Sequence, residues 1–176
     1  MIFVSIIQIL LNNIMKLKIT LSVPSNSDLI ILRTIEESDI IDLMNWKNNN
    51  KEYFFSKYDI TWEKQLLWYQ GYIQRGTDLM FVVEANKVVI GCMGIRRIND
   101  EWDVYNVILG RTEYSGNGIM YKCFQKMLRY VLDIDHLPIT LKVLKNNPAV
   151  GWYEKNGFKI IKEELHHFEM VFQSKF

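Results

Sequence analysis

The chain has 176 residues, 49% of them apolar, with 21 basic and 20 acidic side chains. This length suits one domain with a sizeable core. The balanced charge argues against nucleic acid and against an anionic membrane surface as partners. Two cysteines, Cys92 and Cys123, are too few and too far apart for a disulfide framework or a zinc site, so we expect reduced thiols, a cytoplasmic location and no metal.

The N-terminus is predicted to be an extension rather than part of the fold. Residues 2–11 are apolar but too few to cross a bilayer. They also lack the basic flank and small-residue cleavage site of a signal peptide. Met15 opens a second plausible start, so we expect residues 1–14 to come from an upstream start codon or to form a small peripheral element. Residues 15–176 are then a single domain, compact from about residue 28 to 174.

A strand and two helices are predicted next. The run "LIILRT" (29–34) is typical of a strand. Residues 37–49 begin with polar capping side chains and continue with an apolar stripe at helical spacing. Residues 61–73 predict a second helix, with Thr61 as its N-cap.

The middle of the chain predicts an antiparallel meander. Two β-rich runs, 79–85 and 88–98, are joined by the two-residue polar turn "NK", which is typical of a hairpin. A further turn at 99–101 leads into a third strand at 102–110.

The stretch "EYSGNGIM" (113–120) is a loop before a helix. Its Asn-Gly pair would suit a hairpin, but the apolar residues of 119–132 recur at helical spacing. A strand-to-helix junction presents free N–H groups and the positive end of a helix dipole. Because Gly116 and Gly118 lack Cβ atoms, a phosphate or pyrophosphate can approach the backbone closely. An ordinary turn that uses glycine for its conformation is the alternative.

The last part of the chain predicts a strand, a helix and two strands. The first strand spans 137–144, and the helix spans 147–157 and ends at Gly157. Phe158 restarts a strand, and the final strand covers about 166–172.

Two separated segments resemble the GNAT acetyltransferase superfamily, and the likeness extends over roughly residues 29–172. The run "ILGRTEYSGNGIM" resembles its acyl-CoA-binding segment, Q/R-x-x-G-x-G/A, with a partial match at Gly116 and Gly118. The run "LKVLKNNPAVGWYEKNGF" resembles its later segment, V-x-x-x-N-P-A-x-x-x-Y-E-x-x-G-F. The matching residues of the later segment are Val143, Asn147, Pro148, Ala149, Tyr153, Glu154, Lys155, Gly157 and Phe158.

The resemblance implies an α/β (α+β) GNAT fold and an N-acetyltransferase activity. The expected sheet is mixed and mostly antiparallel, with about seven strands, flanking helices and a splayed central strand pair. The implied acyl donor is acetyl-CoA, and the implied acceptor is a primary amine. Because no cysteine has a recognisable nucleophile setting, we expect the amine to attack directly in a ternary complex rather than through a covalent acyl-enzyme. The cofactor-binding residues implied are Ile108, Leu109, Gly110, Ser115, Gly116, Asn117, Gly118, Ile119, Met120 and Asn147.

Tyr153 is the residue that the resemblance favours as general acid. The ordinary pKa of tyrosine is about 10, above that of a simple thiol at about 8.5, so its proton is available for the departing thiolate. A half-buried structural tyrosine is the alternative. The general base is not identified, and the candidates are Asp103, Glu84, Glu101, His166, His167 and a water chain.

Three hypotheses describe the function, and the first two differ in the acceptor. The run "NWKN" (45–48) is loosely similar to a branch that holds amino-sugar-nucleotide and ribosomal-protein N-terminal acetyltransferases. A small-molecule amine, with an amino-sugar nucleotide as the leading example, is preferred over a protein N-terminus. A non-catalytic CoA-binding sensor is the third hypothesis. The oligomeric state is open, and a homodimer is one option.

Overall fold

The computed structural model describes residues 18–25 and 28–173. The strands are β1 (Thr20–Val23), β2 (Ile30–Thr34), β3 (Asp78–Ala85), β4 (Val88–Ile98), β5 (Glu101–Leu109), β6 (Ile139–Leu144), β7 (Phe158–Glu163) and β8 (His167–Phe172). The α-helices are α1 (Ile40–Asn49), α2 (Trp62–Tyr72), α3 (Ile119–Ile134) and α4 (Val150–Lys155). No helix within the described residues is long and apolar enough to span a membrane.

These bounds confirm the predicted order of elements, with two differences. Strand β1 was not predicted, so the sheet formed by the described residues has eight strands instead of about seven. Helix α4 begins at Val150 rather than at residue 147, because Asn147 and Pro148 form the turn that precedes it. The predicted extension, residues 1–14, lies outside the described residues.

The eight strands form one sheet in the order β1-β2-β3-β4-β5-β6-β8-β7. Every neighbouring pair is antiparallel except β5 and β6, which are parallel. A parallel pair needs a crossover connection, and α3 provides it. The helix therefore begins directly after β5 ends, at the loop that the sequence marks with two glycines.

Strands β5 and β6 pair over only a short distance and then separate. Trp102, Asp103 and Val104 of β5 face residues 139–141 of β6, and no pairing joins the later residues of the two strands. Beyond this point β5 continues to pair with β4, whereas β6 continues to pair with β8. The separation confirms the expected splayed pair and opens a V-shaped cleft in the middle of the sheet.

A β-bulge lies in the part of β5 that borders the cleft. Gly94 faces Tyr105 and Cys92 faces Ile108, so two residues of β5 lie opposite one residue of β4. One of these residues, Asn106, has a positive φ of 50°. Bulges bend a strand and increase its local twist, which accounts for the turning of β5 away from β6.

The sheet is covered by helices on both faces. The inward side chains of α3 pack on one face of the sheet: Ile119, Cys123, Phe124, Met127, Leu128 and Val131. Leu43 and Trp46 of α1 and Tyr72 of α2 pack on the other face. Cys92 and Cys123 are buried free thiols on opposite faces, and burial raises the pKa of each to about 12.

Helix α1 contacts the end of β5 through Trp46 and Gly110. A Cβ atom on Gly110 would lie 2.0 Å from Cε2 of the Trp46 indole, so only glycine permits this contact. Trp46 is buried, which supports a packing role for this tryptophan. The contact fixes the position of α1 relative to the cleft.

Candidate active site

A cleft of about 660 Å³ lies where β5 and β6 separate. Its two walls are β5 from Glu101 to Val107, except Trp102, and β6 from Thr140 to Val143. The segment that follows α1 also lines the cleft, through Tyr53, Phe54, Phe55 and Ser56. Asn147 and Tyr153 also line the cleft, so the structure brings together two of the residues predicted to act.

Tyr153 projects from α4 into an aromatic environment at the cleft. Its ring packs near Trp152, Phe124 and Phe158, with centroid distances of 5.4, 6.1 and 6.1 Å. Its hydroxyl makes no hydrogen bond to any other described residue. Burial raises the pKa of Tyr153 above its ordinary value, so the phenol keeps its proton at neutral pH.

Asn147 uses both ends of its side-chain amide within the chain. Oδ1 accepts a hydrogen bond of 2.8 Å from the N–H of Ala149, and Nδ2 donates to the carbonyl of Tyr53 at 3.3 Å. The side chain thus caps the turn before α4 and ties the loop after α1 to the cleft wall. A ligand contact from Asn147 would use its backbone or would replace the bond to Tyr53.

The loop before α3 combines left-handed glycines with free amides. Gly116 and Gly118 have φ values of 78° and 77°, and a Cβ atom at either position would meet nothing within 4 Å. The N–H groups of Gly116, Asn117 and Gly118 donate to no other described residue. Asn117 accepts from the N–H of Ile119 through Oδ1, at 3.1 Å. The exposed backbone donors fit a phosphate or pyrophosphate group.

The predicted cofactor residues at the end of β5 lie beside the cleft rather than in its wall. Ile108 is buried and borders a smaller cavity of about 220 Å³ on the α1–α2 face of the sheet. Gly110 donates its N–H to the carbonyl of Ile90 at 2.9 Å. Leu109 is half-buried, and Ser115 and Met120 flank the glycine loop.

Two of the base candidates line the cleft. Asp103 accepts a hydrogen bond of 3.0 Å from Nε of Arg96, and burial raises its pKa against the opposing effect of this guanidinium. Glu101 lies at the start of β5. The other candidates do not line the cleft: Glu84, His166 and His167. Glu84 instead pairs with Arg33 at 3.1 Å.

Several other cleft residues are not among the site residues predicted from the sequence. Lys47 and Arg96 reach the cleft from α1 and β4, and Asn106 reaches it from the bulge. Asn106 had one usable signal, since asparagine tolerates positive φ and interrupts an otherwise β-rich run. Lys47 belongs to the run "NWKN", which carries a loose resemblance but gives this lysine no site role, and Arg96 is an ordinary polar residue of a predicted strand. Only the packing of α1 and β4 places both side chains at the cleft.

The mixed sheet, its splayed strand pair and the helix that starts at a glycine loop define the GNAT fold class. A family model described as an acetyltransferase (GNAT) domain matches residues 30–159. The chain therefore belongs to the GNAT acetyltransferase family.

Individual relatives are distant. An uncharacterized protein of Methanocaldococcus jannaschii is 23% identical over 140 residues; the match covers 76% of this chain and 29% of that relative's length. Spermidine N-acetyltransferase from Vibrio cholerae, solved with CoA and spermine, is 27% identical, with a TM-score of 0.69 and coverage of 81% of this chain and 94% of that chain. The nucleotide-linked sugar GNAT FdhC is 19% identical, with a TM-score of 0.70 and coverage of 88% and 90%.

Proposed function

We propose that the protein is an acetyl-CoA-dependent N-acetyltransferase that acts on the primary amine of a small molecule. Family membership supports the transferase class, and the neighbour solved with CoA and spermine supports the cofactor and the type of acceptor. One observation carries the proposal. Tyr153 lines the cleft that the splayed strands open, with its hydroxyl free of partners among the described residues.

The glycine loop is the proposed binding site for the pyrophosphate of CoA. Free N–H groups at Gly116, Asn117 and Gly118 offer donors, and the two open left-handed glycines leave space for oxygen atoms. The positive end of the α3 dipole adds to this attraction. Ser115, Ile119 and Met120 complete this segment.

The end of β5 is the proposed site of the pantetheine arm. Because β6 turns away after Leu141, backbone groups of β5 have no strand on that side, and an extended arm can pair with them as an added strand. We assign Ile108, Leu109 and Gly110 to this contact, with Asn147 on the opposite wall. An N–H near Leu109 would polarise the thioester carbonyl.

Acetyl-CoA supplies an activated acetyl group as a thioester, which the amine takes directly in a ternary complex. Tyr153 donates its proton to the leaving sulfur, and its raised pKa keeps that proton available. Of the base candidates predicted from the sequence, Asp103 and Glu101 lie in the cleft and could accept the proton of the amine.

The leading acceptor is an amino-sugar nucleotide. Tyr53, Phe54 and Phe55 line the cleft and offer faces on which a base or sugar ring can stack. A protein N-terminus is the second candidate, and it needs a channel that admits an extended peptide. A cytoplasmic location, where acetyl-CoA is available, is part of the proposal.

The deciding experiment combines calorimetry with thiol release. We expect CoA to bind and thiol to be released from acetyl-CoA when small amines, including amino-sugar nucleotides, are supplied. Acetylation of peptides but not of small amines would favour the second candidate. Binding of CoA without release for any acceptor would favour a sensor, and absence of CoA binding would refute the proposal.

A further inference from the structure

Lys47 lies at the boundary between the two cavities. Its Nζ atom donates a hydrogen bond of 2.9 Å to Oδ1 of Asn106, the bulge residue of β5. The same atom lies 5.2 Å from the centroid of the Phe54 ring. Lys47 and Asn106 line both the cleft and the smaller cavity.

The position of Lys47 is fixed by the preceding residue. Trp46 packs directly on Gly110, at the end of β5. Successive residues on a helix point about 100° apart, so the next side chain is turned from that contact toward the bulge. The fold therefore fixes the position of the ammonium group, in contrast to that of a flexible surface lysine.

The charge of Lys47 is not balanced by a carboxylate. Within residues 18–25 and 28–173, no Asp or Glu lies within 4.0 Å of its Nζ. The other two cations of the cleft are paired, Arg96 with Asp103 at 2.9 Å and Lys142 with Glu169 at 2.9 Å.

The remaining carboxylate of the cleft is too distant to serve as its partner. Glu101 and Asn106 are five residues apart on β5, which corresponds to about 16 Å along a strand. Burial lowers the pKa of Lys47, in agreement with a cation that lacks an anion. A partly buried charge of this kind is stabilised when an anion binds beside it.

We propose that Lys47 binds an anionic group of the acceptor, a carboxylate or a phosphate, and thereby selects amines that carry a negative charge. The inference rests on the proposed acetyl transfer and narrows its substrate class. A polyamine offers no anion to Lys47 and would add positive charge beside it. Phe54, which faces the same ammonium, would contact the body of the acceptor.

The experiment compares matched acceptors that differ by one anionic group. An α-amino acid is paired with its carboxamide, and glucosamine 6-phosphate is paired with glucosamine. The quantity measured is the ratio of kcat/KM within each pair. We expect the wild-type protein to prefer the anionic member of one pair by ~10-fold or more, the size of a hydrogen bond to a charged group. The pair that shows the preference identifies the anion as carboxylate or phosphate.

Three variants test the role of Lys47. Lys47→Gln should reduce the ratio to near one, and Lys47→Arg should retain part of it. Lys64→Gln removes the same charge from an exposed lysine that borders only the smaller cavity, and it should keep the wild-type ratio. Equal use of both members by the wild-type protein, or an unchanged ratio in Lys47→Gln, would overturn the inference.

A binding measurement separates this inference from the proposed function. The Lys47 signal in lysine NMR spectra is assigned by its loss in Lys47→Gln, and its pKa is followed with and without the preferred anionic compound. An upward shift of the pKa supports the inference even if no acetylated product forms. An unshifted pKa together with measurable turnover refutes the anion site and leaves the acetyl transfer standing.

Discussion

The two ends of the proposed site are built in different ways. At the loop before α3 the donors are backbone N–H groups, and they depend on the left-handed conformation of Gly116 and Gly118. In the cleft the groups are side chains from α1 and the segment after it, from α4, and from strands β4 to β8. We therefore expect the loop to be less sensitive to changes of side chain than to changes of backbone conformation, whereas the cleft should depend on individual side-chain atoms.

The largest expected effect is at the cleft. Tyr153→Phe removes one hydroxyl, and we expect turnover to fall by ~10²-fold, the lower range for proton transfer by a positioned side chain. The affinity for CoA should be retained, because the proposed pyrophosphate site uses the backbone of another segment. Steady-state kinetics and calorimetry check both parts.

Tyr130→Phe is the matched control for this substitution. Tyr130 lies on α3, where its ring packs at 6.5 Å from that of Phe81, away from the cleft lining. Removal of the Tyr130 hydroxyl should leave turnover within about twofold of wild type, because substitutions far from a functional site usually have small effects. Wild-type turnover in Tyr153→Phe would remove the phenol from the mechanism.

The next largest effect is expected at the loop. Gly118→Ala forces a side chain into a left-handed residue, which costs about 1–2 kcal/mol. A shift of this backbone would misdirect an N–H donor, and the loss of one hydrogen bond to a charged group corresponds to ~10-fold weaker CoA binding. Thermal unfolding and calorimetry measure the two effects.

Gly151→Ala provides the comparison within the chain. Gly151 lies in α4, its φ is not positive, and a Cβ atom there also meets nothing within 4 Å. Alanine should stabilise the protein by about 0.5–1 kcal/mol. Equal destabilisation by both alanines would show that the left-handed conformation is not what matters at Gly118.

A smaller effect of mixed sign is expected at Asn117. Its side chain occupies the N–H of Ile119, a donor that a phosphate could otherwise use. Asn117→Ala should lower stability by about 0.5–1 kcal/mol through loss of this side-chain-to-backbone hydrogen bond, and tighten CoA binding by ~3-fold through release of the donor. Ser115→Ala should change neither quantity, because the proposed contact of this residue with CoA uses its backbone and not its hydroxyl. Weaker CoA binding in Asn117→Ala would show that the asparagine itself contacts the ligand.

The difference between a backbone-built loop and a side-chain-built cleft also explains which parts of the site the sequence predicts. The loop before α3 is recognisable because two glycines and a helical apolar pattern lie within twenty residues of one another. Local backbone chemistry determines both the turn at the glycines and the helix that follows. Gly157 was predicted for the same reason to end a helix in the left-handed conformation, and its φ of 94° confirms this. The strands of the meander follow from local β-rich patterns and a two-residue turn.

The cleft was only partly predictable. Tyr153 and Asn147 were found through a resemblance, not through their chemistry. Lys47 and Asn106 meet across 59 positions of sequence, and no local pattern reports that contact. Strand β1 was missed because it is only four residues long, pairs with β2 alone and has a single buried residue, Val23. Whether this segment forms a strand depends more on its pairing with β2 than on its own sequence.

The smallest expected effect concerns the pH dependence of turnover. A tyrosine with an ordinary pKa of about 10 would be half ionised at pH 10 and would lose about half of its capacity to donate a proton. Burial raises the pKa of Tyr153, so the protonated form persists at that pH and is lost only as pH rises through the higher value. With the amine saturating, kcat should stay level up to pH 10. A twofold decline at pH 10, absent from Tyr153→Phe, would mean that the phenol is solvated in the working enzyme and that the cleft opens to water during turnover.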